Sequence, residues 1–128
     1  MGEAGVRPME FKDTKPIYLQ IADIICNEIL SGDHPEGERL PSVRDYAVQM
    51  EVNVNTVVRS FDWLSQQEII FQRRGLGFFV SQGASNIILS VRKNEFFHQQ
   101  LPDLFASMQT LDISIDEVVR RYGMSVAQ

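Results

Sequence analysis

Residues 40–80 contain two helix-start signals in close succession, and this spacing constrains the fold more than any other feature of the chain. Ser42 precedes Asp45 by three residues, which is the spacing of a capping box, so a helix is predicted to begin directly after Ser42. Asn53 is a favourable N-cap residue and predicts a second helix over 53–67. Because only a short turn separates them, the two helices form a helix-turn-helix unit.

A glycine-containing hairpin follows the two helices. Residues 69–73 and 78–81 are rich in β-branched and aromatic side chains, and Arg74-Gly75-Leu76-Gly77 supplies the glycines that a tight turn requires. A helix-turn-helix followed by such a hairpin predicts a winged helix-turn-helix domain. The expected fold class is therefore mainly α, with a small β-wing over 69–81 and a short α-helical tail.

The domain limits are predicted from composition and from apolar spacing. Residues 1–10 read as a disordered leader, residues 11–82 as the winged helix-turn-helix DNA-binding domain and residues 84–128 as a helical dimerisation segment. The polar, small residues at 81–85 are interpreted as a hinge. At the other end of the domain, an isoleucine stripe that opens at Lys15-Pro16 predicts the first helix.

The tail carries an apolar stripe at helical spacing. Its members are Phe97, Leu101, Leu104, Phe105, Met108 and Leu111. Pro102 falls inside the stripe and should kink the helix, and Ser114 should open a final helix that ends at Gly123. The stripe fits either a core within the chain or an interface between copies. Its size relative to a short segment favours the interface, so a homodimer is expected.

The charge of the chain is unevenly distributed. The net charge is −5, yet residues 1–38 carry a balance of −5, residues 39–83 a balance of +1 and residues 84–128 a balance of −1. All five cations of the middle segment are arginines. Arginine suits bidentate contacts to phosphate and guanine, so the helix-turn-helix segment can bind DNA although the whole chain is acidic.

Several other classes of function are disfavoured by the sequence. There is no nucleophile elbow and no paired-carboxylate pattern, so an enzyme is not expected. His34 and His98 have no metal-ligand spacing around them, and Gly75-Leu76-Gly77 lies between strands rather than before a helix, so no metal or cofactor is predicted. Cys26 is the single cysteine and is expected in the core. No apolar run reaches the length of a membrane span, and a cytoplasmic location is expected.

Four motifs lie in register along residues 16–82, and together they resemble the N-terminal domain of the GntR family of bacterial transcription regulators. The motifs are Pro16-Ile17-Tyr18-Leu19-Gln20-Ile21, Leu40-Pro41-Ser42-x-Arg44, Val52-Asn53-x-Asn55-Thr56-Val57-Val58-Arg59 and Arg73-Arg74-Gly75-x-Gly77-x-Phe79-Val80. The short two-helix tail is similar to the YtrA-type branch of that family. The resemblance implies a repressor of a small bacterial operon that binds double-stranded DNA, with no effector assigned.

The resemblance also implies which residues meet DNA. The predicted contacts are Ser42, Arg44, Asn53, Asn55, Thr56, Arg59, Arg73, Arg74 and Gly75. Arg44 matches an arginine that contacts the DNA backbone and base edges near the groove, Arg59 matches the arginine of the Thr-Val-Val-Arg run, and Arg74-Gly75 matches the wing tip that enters the minor groove. Val54 departs from the family, where arginine or proline is common, and Leu76 replaces a residue that is often polar or basic.

Other interpretations stay open at this point. Arg44 can instead form a surface ion pair with Asp45 or Glu51, and strand alternation can turn Arg73 away from DNA. The paired helices can also be a structural hairpin. In a winged-helix protein-interaction module, the same fold would serve as an assembly surface without reading DNA.

Overall fold

The computed structural model describes residues 15–127, and the leader predicted at 1–10 lies outside them. The chain divides into two compact units between Leu89 and Ser90. The first unit contains helices α1 (Ile17–Leu30), α2 (Val43–Met50) and α3 (Val54–Gln66), strands β1 (Ile70–Arg73) and β2 (Gly77–Val80), and the start of helix α4 (Ala84–Glu95). This order confirms a mainly helical fold with a small two-stranded wing.

Side-chain caps fix the starts of α2 and α3. The Ser42 hydroxyl accepts the Asp45 N–H at 3.0 Å, and the Asp45 carboxylate accepts the Ser42 N–H at 3.2 Å, so the predicted capping box is formed. The Asn53 side-chain oxygen accepts the Asn55 N–H at 2.7 Å and caps α3. Between them, Glu51 adopts a left-handed φ of 57°, which ends α2 and turns the chain into α3.

The wing is an antiparallel hairpin, and the segment around Arg39 forms a short bridge to one of its strands. Ile70 pairs with Val80 and Arg73 with Gly77, which sets the register of β1 against β2. Arg39 forms an isolated bridge to Phe79, and the Leu40 N–H donates to the Phe78 carbonyl at 2.8 Å. The segment before α2 is thereby attached to β2.

One apolar core holds the first unit together. It is built from Ile21, Ala22, Ile25, Cys26, Ile29, Leu40, Tyr46, Ala47, Met50, Val57, Phe61, Leu64, Ile69, Ile70, Val80, Ala84 and Ile88. The isoleucine stripe of α1 and the inner faces of α2 and α3 meet here, as the helical spacing predicts. Cys26 is buried, as expected.

The start of α4 differs from the simple hinge expected at 81–85. The helix begins at Ala84, and both Ala84 and Ile88 are buried in the first core. The first compact unit therefore continues to Leu89, beyond the limit at 82 that composition suggested. The small and polar residues at 81–85 lie where α4 begins, and the apolar residues Ala84 and Ile88 still belong to the core of the first unit.

In the second unit, the helix is interrupted before Pro102. A π-helical segment, Phe96–Gln100, separates α4 from α5 (Leu101–Leu111), and the Leu101 N–H donates to the Phe96 carbonyl. Proline has no N–H to donate and its ring crowds the preceding turn, so the wider π turn accommodates it without ending the helix. The structure thus shows a change of helix type before Pro102, and the predicted kink stays a prediction.

The last helix, α6 (Ile115–Val126), extends further than expected. Ser114 accepts the Glu117 N–H at 3.2 Å and caps the helix, but the prediction that it ends at Gly123 was wrong. Glycine weakens a helix interior without forbidding it. Arg120 and Arg121 both contact the Glu117 carboxylate at 2.6 Å and lower its pKa. Within residues 15–127, no helix has the length and apolar character to span a membrane.

A polar network joins α1 to α2. The Tyr46 hydroxyl donates to Glu28 Oε1 at 2.6 Å, and His34 Nε2 lies 2.9 Å from that oxygen and 3.1 Å from the hydroxyl. Burial, together with the hydrogen bond to the Glu28 carboxylate, raises the pKa of Tyr46 far above its usual value. The hydroxyl therefore keeps its proton to a higher pH in the folded chain than in the unfolded chain.

This raised pKa predicts a loss of stability in alkaline solution. A tyrosine in the unfolded chain ionises near about pH 10, so the stability contributed by Tyr46 is complete below that pH and is lost as the pH rises above it. Urea unfolding at several pH values should show a fall in the free energy of unfolding that begins at about pH 10 and continues as the pH rises further in the wild type, and a shallower fall in Tyr46→Phe. Tyr122→Phe, at an exposed position, is the control and should follow the wild type. Equal slopes for all three proteins would contradict this prediction.

Candidate nucleic-acid interface

Helix α3 has one buried and one exposed face. Val57, Ser60, Phe61 and Leu64 are buried against the rest of the unit. On the other side Asn55, Val58, Arg59 and Asp62 are exposed, and Thr56 is half-buried. The first two turns of α3 therefore present polar, apolar and cationic side chains together on the side away from the core.

The two predicted contact residues at the start of α2, Ser42 and Arg44, differ in how far their side chains are already engaged within the chain. The Ser42 hydroxyl accepts the capping hydrogen bond from Asp45 and still has its own hydrogen to donate to a ligand. Arg44 is exposed in the first turn and, among the described residues, forms no ion pair with Asp45 or Glu51. The Asp45 carboxylate is bound to the Ser42 N–H instead. The described residues therefore do not show the surface ion pair that was the alternative role for Arg44.

Capping limits what the first turn of α3 can offer a ligand. Because the Asn53 oxygen binds the Asn55 N–H, Asn53 retains its amide hydrogens as donors. The Asn55 side chain is exposed beside it. Val54 is 39% exposed and Val58 is 39% exposed, so an apolar strip runs along the same outward surface. The sequence pattern did not single out this strip, since valine at helical spacing is more often core.

The Arg59 guanidinium lies over an aromatic ring from α1. Its guanidinium carbon lies 4.1 Å from the centroid of the Tyr18 ring, within the range of a cation–π contact. Ser60, the next residue of α3, donates its hydroxyl to the Tyr18 carbonyl at 2.7 Å. No pattern in the sequence could reveal this pairing, because the two residues lie far apart along the chain and meet only through the packing of α1 on α3.

Arg73 lies on the outer face of the wing. The Phe71 and Phe79 rings are stacked at 5.8 Å with an interplanar angle of 24°. The Arg73 guanidinium carbon lies 5.6 Å from the centroid of Phe71 and 5.5 Å from that of Phe79. Strand alternation thus directs Arg73 to the face opposite the core, where two aromatic rings support it.

The wing tip combines an exposed cation with two left-handed glycines. Arg74 is exposed, Gly75 has a φ of 76° and Gly77 a φ of 115°. A Cβ atom at Gly77 would lie 2.9 Å from Arg39 Nε, so the missing side chain makes room for the Arg39 guanidinium. Arg39 adds a cation beside the wing that the predicted set of contacts did not include.

The remaining surface of the first unit has mixed charge. A groove of about 420 Å³ beside α2 is lined by Asp33, His34, Glu38, Arg39, Leu40, Pro41, Ser42 and Asp45. Ligand pockets are usually lined by apolar side chains with a few polar groups, so this groove lacks the usual lining of a small-molecule site. Among the described residues, no group of three or more His, Cys, Asp or Glu is arranged to hold a metal ion.

The tail residues predicted to dimerise are mostly exposed. Phe97 is 58% exposed and Leu111 66%, and Leu104 and Phe105 are also exposed. Leu101 is half-buried, whereas Met108 is already buried within the chain and has little surface left for a partner. Helix α6 adds exposed apolar side chains that the predicted set did not contain, namely Ile115, Val119, Tyr122, Met124 and Val126.

Comparisons with known proteins agree with this geometry. The model of the family described as bacterial regulatory proteins, gntR family, matches residues 17–80. The chain is 34% identical to the HTH-type transcriptional regulator YhcF of Bacillus subtilis over 86% of this chain and 89% of that protein. It is 28% identical to the HTH-type transcriptional repressor YtrA of the same bacterium over 84% of this chain and 82% of the repressor.

Solved structures give the same result. A transcriptional regulator of the GntR family from Bacteroides thetaiotaomicron has a TM-score of 0.76 and 46% identity, covering 88% of this chain and 97% of its own. YtrA from Sulfolobus acidocaldarius, a GntR-family transcription factor, has a TM-score of 0.54 and 28% identity, covering 70% of this chain and 95% of its own.

The capped helix pair, the wing and these likenesses define a transcription regulator of the winged helix-turn-helix class. The chain belongs to the gntR family of bacterial regulatory proteins. The predicted resemblance is confirmed, including its link to YtrA-type regulators.

Proposed function

We propose that this protein is a sequence-specific DNA-binding repressor that binds a palindromic operator as a homodimer in the bacterial cytoplasm. The observation that carries the proposal is the division of α3 into a buried face and an exposed face. A helix fixed by its apolar side can enter a groove as a rigid body, and its exposed first turns then reach base edges.

We assign the contacts to DNA phosphates and the contacts to bases to different residues. Arg44 at the start of α2 and Arg74 at the wing tip are exposed cations suited to backbone phosphates. Asn55 and the free amide hydrogens of Asn53 lie in the first turn of α3, where they can read sequence. We assign Arg59 to a phosphate at the groove edge, because it lies one turn further along α3.

The exposed apolar surface of the tail supports a homodimer. Phe97, Leu104, Phe105 and Leu111 leave large apolar areas uncovered in a single chain. Contiguous apolar surface of this kind marks an interaction site, and a two-fold dimer would cover the same surface on both copies. Two DNA-binding heads would then match the two halves of a palindrome.

Repression is proposed by analogy with a relative. The similar protein YtrA of Bacillus subtilis is named a transcriptional repressor. A dimer that occupies an operator blocks access to the DNA by its presence alone, so no catalytic group is required. The second candidate function is a winged-helix protein-interaction module, which the net charge of −5 favours because a strong negative charge opposes approach to DNA.

Loss of Arg44 and Arg59 separates these two functions. Arg44→Ala combined with Arg59→Ala should weaken binding to a selected duplex by at least about tenfold and lower the salt slope by about two, since each phosphate contact contributes roughly one. The control is Arg120→Ala combined with Arg121→Ala, which changes the net charge equally but lies in α6. Fluorescence anisotropy at several salt concentrations measures both quantities. Unchanged affinity and slope in the Arg44/Arg59 variant would refute the assigned interface.

Charged substitutions on the tail test the dimer. Phe105→Glu combined with Leu111→Glu should give monomers in analytical ultracentrifugation, because two buried carboxylates per chain would oppose an apolar interface. Val48→Glu places the same charge on an exposed valine of α2 and should leave the dimer intact. Point substitutions are preferable to a cut after Gly83, which would remove Ala84 and Ile88 from the core. A Phe105/Leu111 variant that still sediments as a dimer would refute this interface.

A further inference from the structure

We propose that Tyr18 is a positioning residue that holds Arg59 in the orientation needed for its phosphate contact; this inference rests on the proposed function. Tyr18 belongs to α1, outside the helix pair and the wing. Its ring lies 4.1 Å from the Arg59 guanidinium carbon, and Arg59 is exposed on α3. The contact therefore joins an exposed cation of α3 to the side chain of a residue on α1.

The backbone of Tyr18 is bound to α3 next to Arg59. The Tyr18 carbonyl accepts the hydroxyl of Ser60 at 2.7 Å, and Ser60 is fully buried. The same hydroxyl lies 3.2 Å from the Thr56 carbonyl, one turn earlier on α3. Neighbouring residues of α3, Arg59 and Ser60, thus contact the ring and the backbone of the same tyrosine. This arrangement fixes the backbone of Tyr18 relative to α3 and places its ring beside Arg59.

A guanidinium that lies over an aromatic ring can still bind an anion. The ring contacts one side of the planar group, and N–H donors directed away from the ring stay available to phosphate oxygens. An arginine that is already oriented loses less rotational freedom on binding, and ordering one long side chain costs about 0.5–1.5 kcal/mol. Removing the ring should therefore weaken binding by about two- to tenfold.

This role predicts a specific pattern of coupling between Tyr18 and Arg59. The probe is the most enriched duplex from a randomised pool, and the variants are Tyr18→Leu and Tyr18→Phe, each with Arg59 present and in the Arg59→Ala background. With Arg59 present, Tyr18→Leu should weaken binding about two- to tenfold without changing the salt slope, because the number of phosphate contacts is unchanged. Tyr18→Phe keeps the ring and should bind like the wild type. In the Arg59→Ala background, Tyr18→Leu should have no further effect.

Each departure from this pattern overturns the inference. An equal loss from Tyr18→Leu in both backgrounds would indicate general damage to α1. A loss in Tyr18→Phe equal to that in Tyr18→Leu would make the hydroxyl a direct DNA contact, and no loss in Tyr18→Leu would make the ring irrelevant. If the wild type enriches no duplex, the proposed function itself fails.

One measurement on the unaltered protein covers the case in which Tyr18→Leu does not fold. In the NMR spectrum of the wild type, the Arg59 side-chain protons should be shifted upfield by the ring current of Tyr18. Unshifted Arg59 protons would overturn the inference, and the shift should persist in Tyr18→Phe.

Discussion

Phe61 is the side chain on which the geometry of the DNA-binding surface depends. It lies on the buried face of α3 and makes edge-to-face contacts with Tyr46 of α2 at 5.9 Å and with Phe78 of β2 at 4.9 Å. Each such contact contributes about 0.5–1.5 kcal/mol beyond the burial of area. The more important effect is positional, because this one ring packs α3 against both the preceding helix and the wing. The orientation of the exposed face of α3 therefore depends on the contacts of Phe61 with Tyr46 and Phe78.

Local signals predicted most of the first unit. Ser42, Asp45 and Asn53 fixed the starts of α2 and α3 because caps act through hydrogen bonds between near neighbours. The glycines at the wing tip were recognisable because the hairpin needs left-handed backbone there. Elements set by local chemistry therefore agree with the structure within a residue or two, and the family motifs lie on these elements.

What the sequence could not show depends on packing between distant segments. The contact of Tyr18 with Arg59 and the approach of Arg39 to Gly77 arise only when the helices and strands have met. The burial of Ala84 in the first core has the same origin, since small residues read as a hinge unless the adjoining core is known. Glycine is typical of a helix end, yet Gly123 lies inside α6, where a glycine costs only about 1 kcal/mol relative to alanine.

Selection from a randomised duplex pool tests most directly whether this surface reads DNA as a symmetric pair. The full chain is mixed with the pool at near-physiological salt, and the bound fraction is sequenced. We expect enrichment of a two-fold symmetric motif whose half-sites lie about one helical turn apart. An enriched motif without symmetry would contradict the dimeric arrangement, and a bound fraction with no enriched motif would contradict sequence-specific binding by α3.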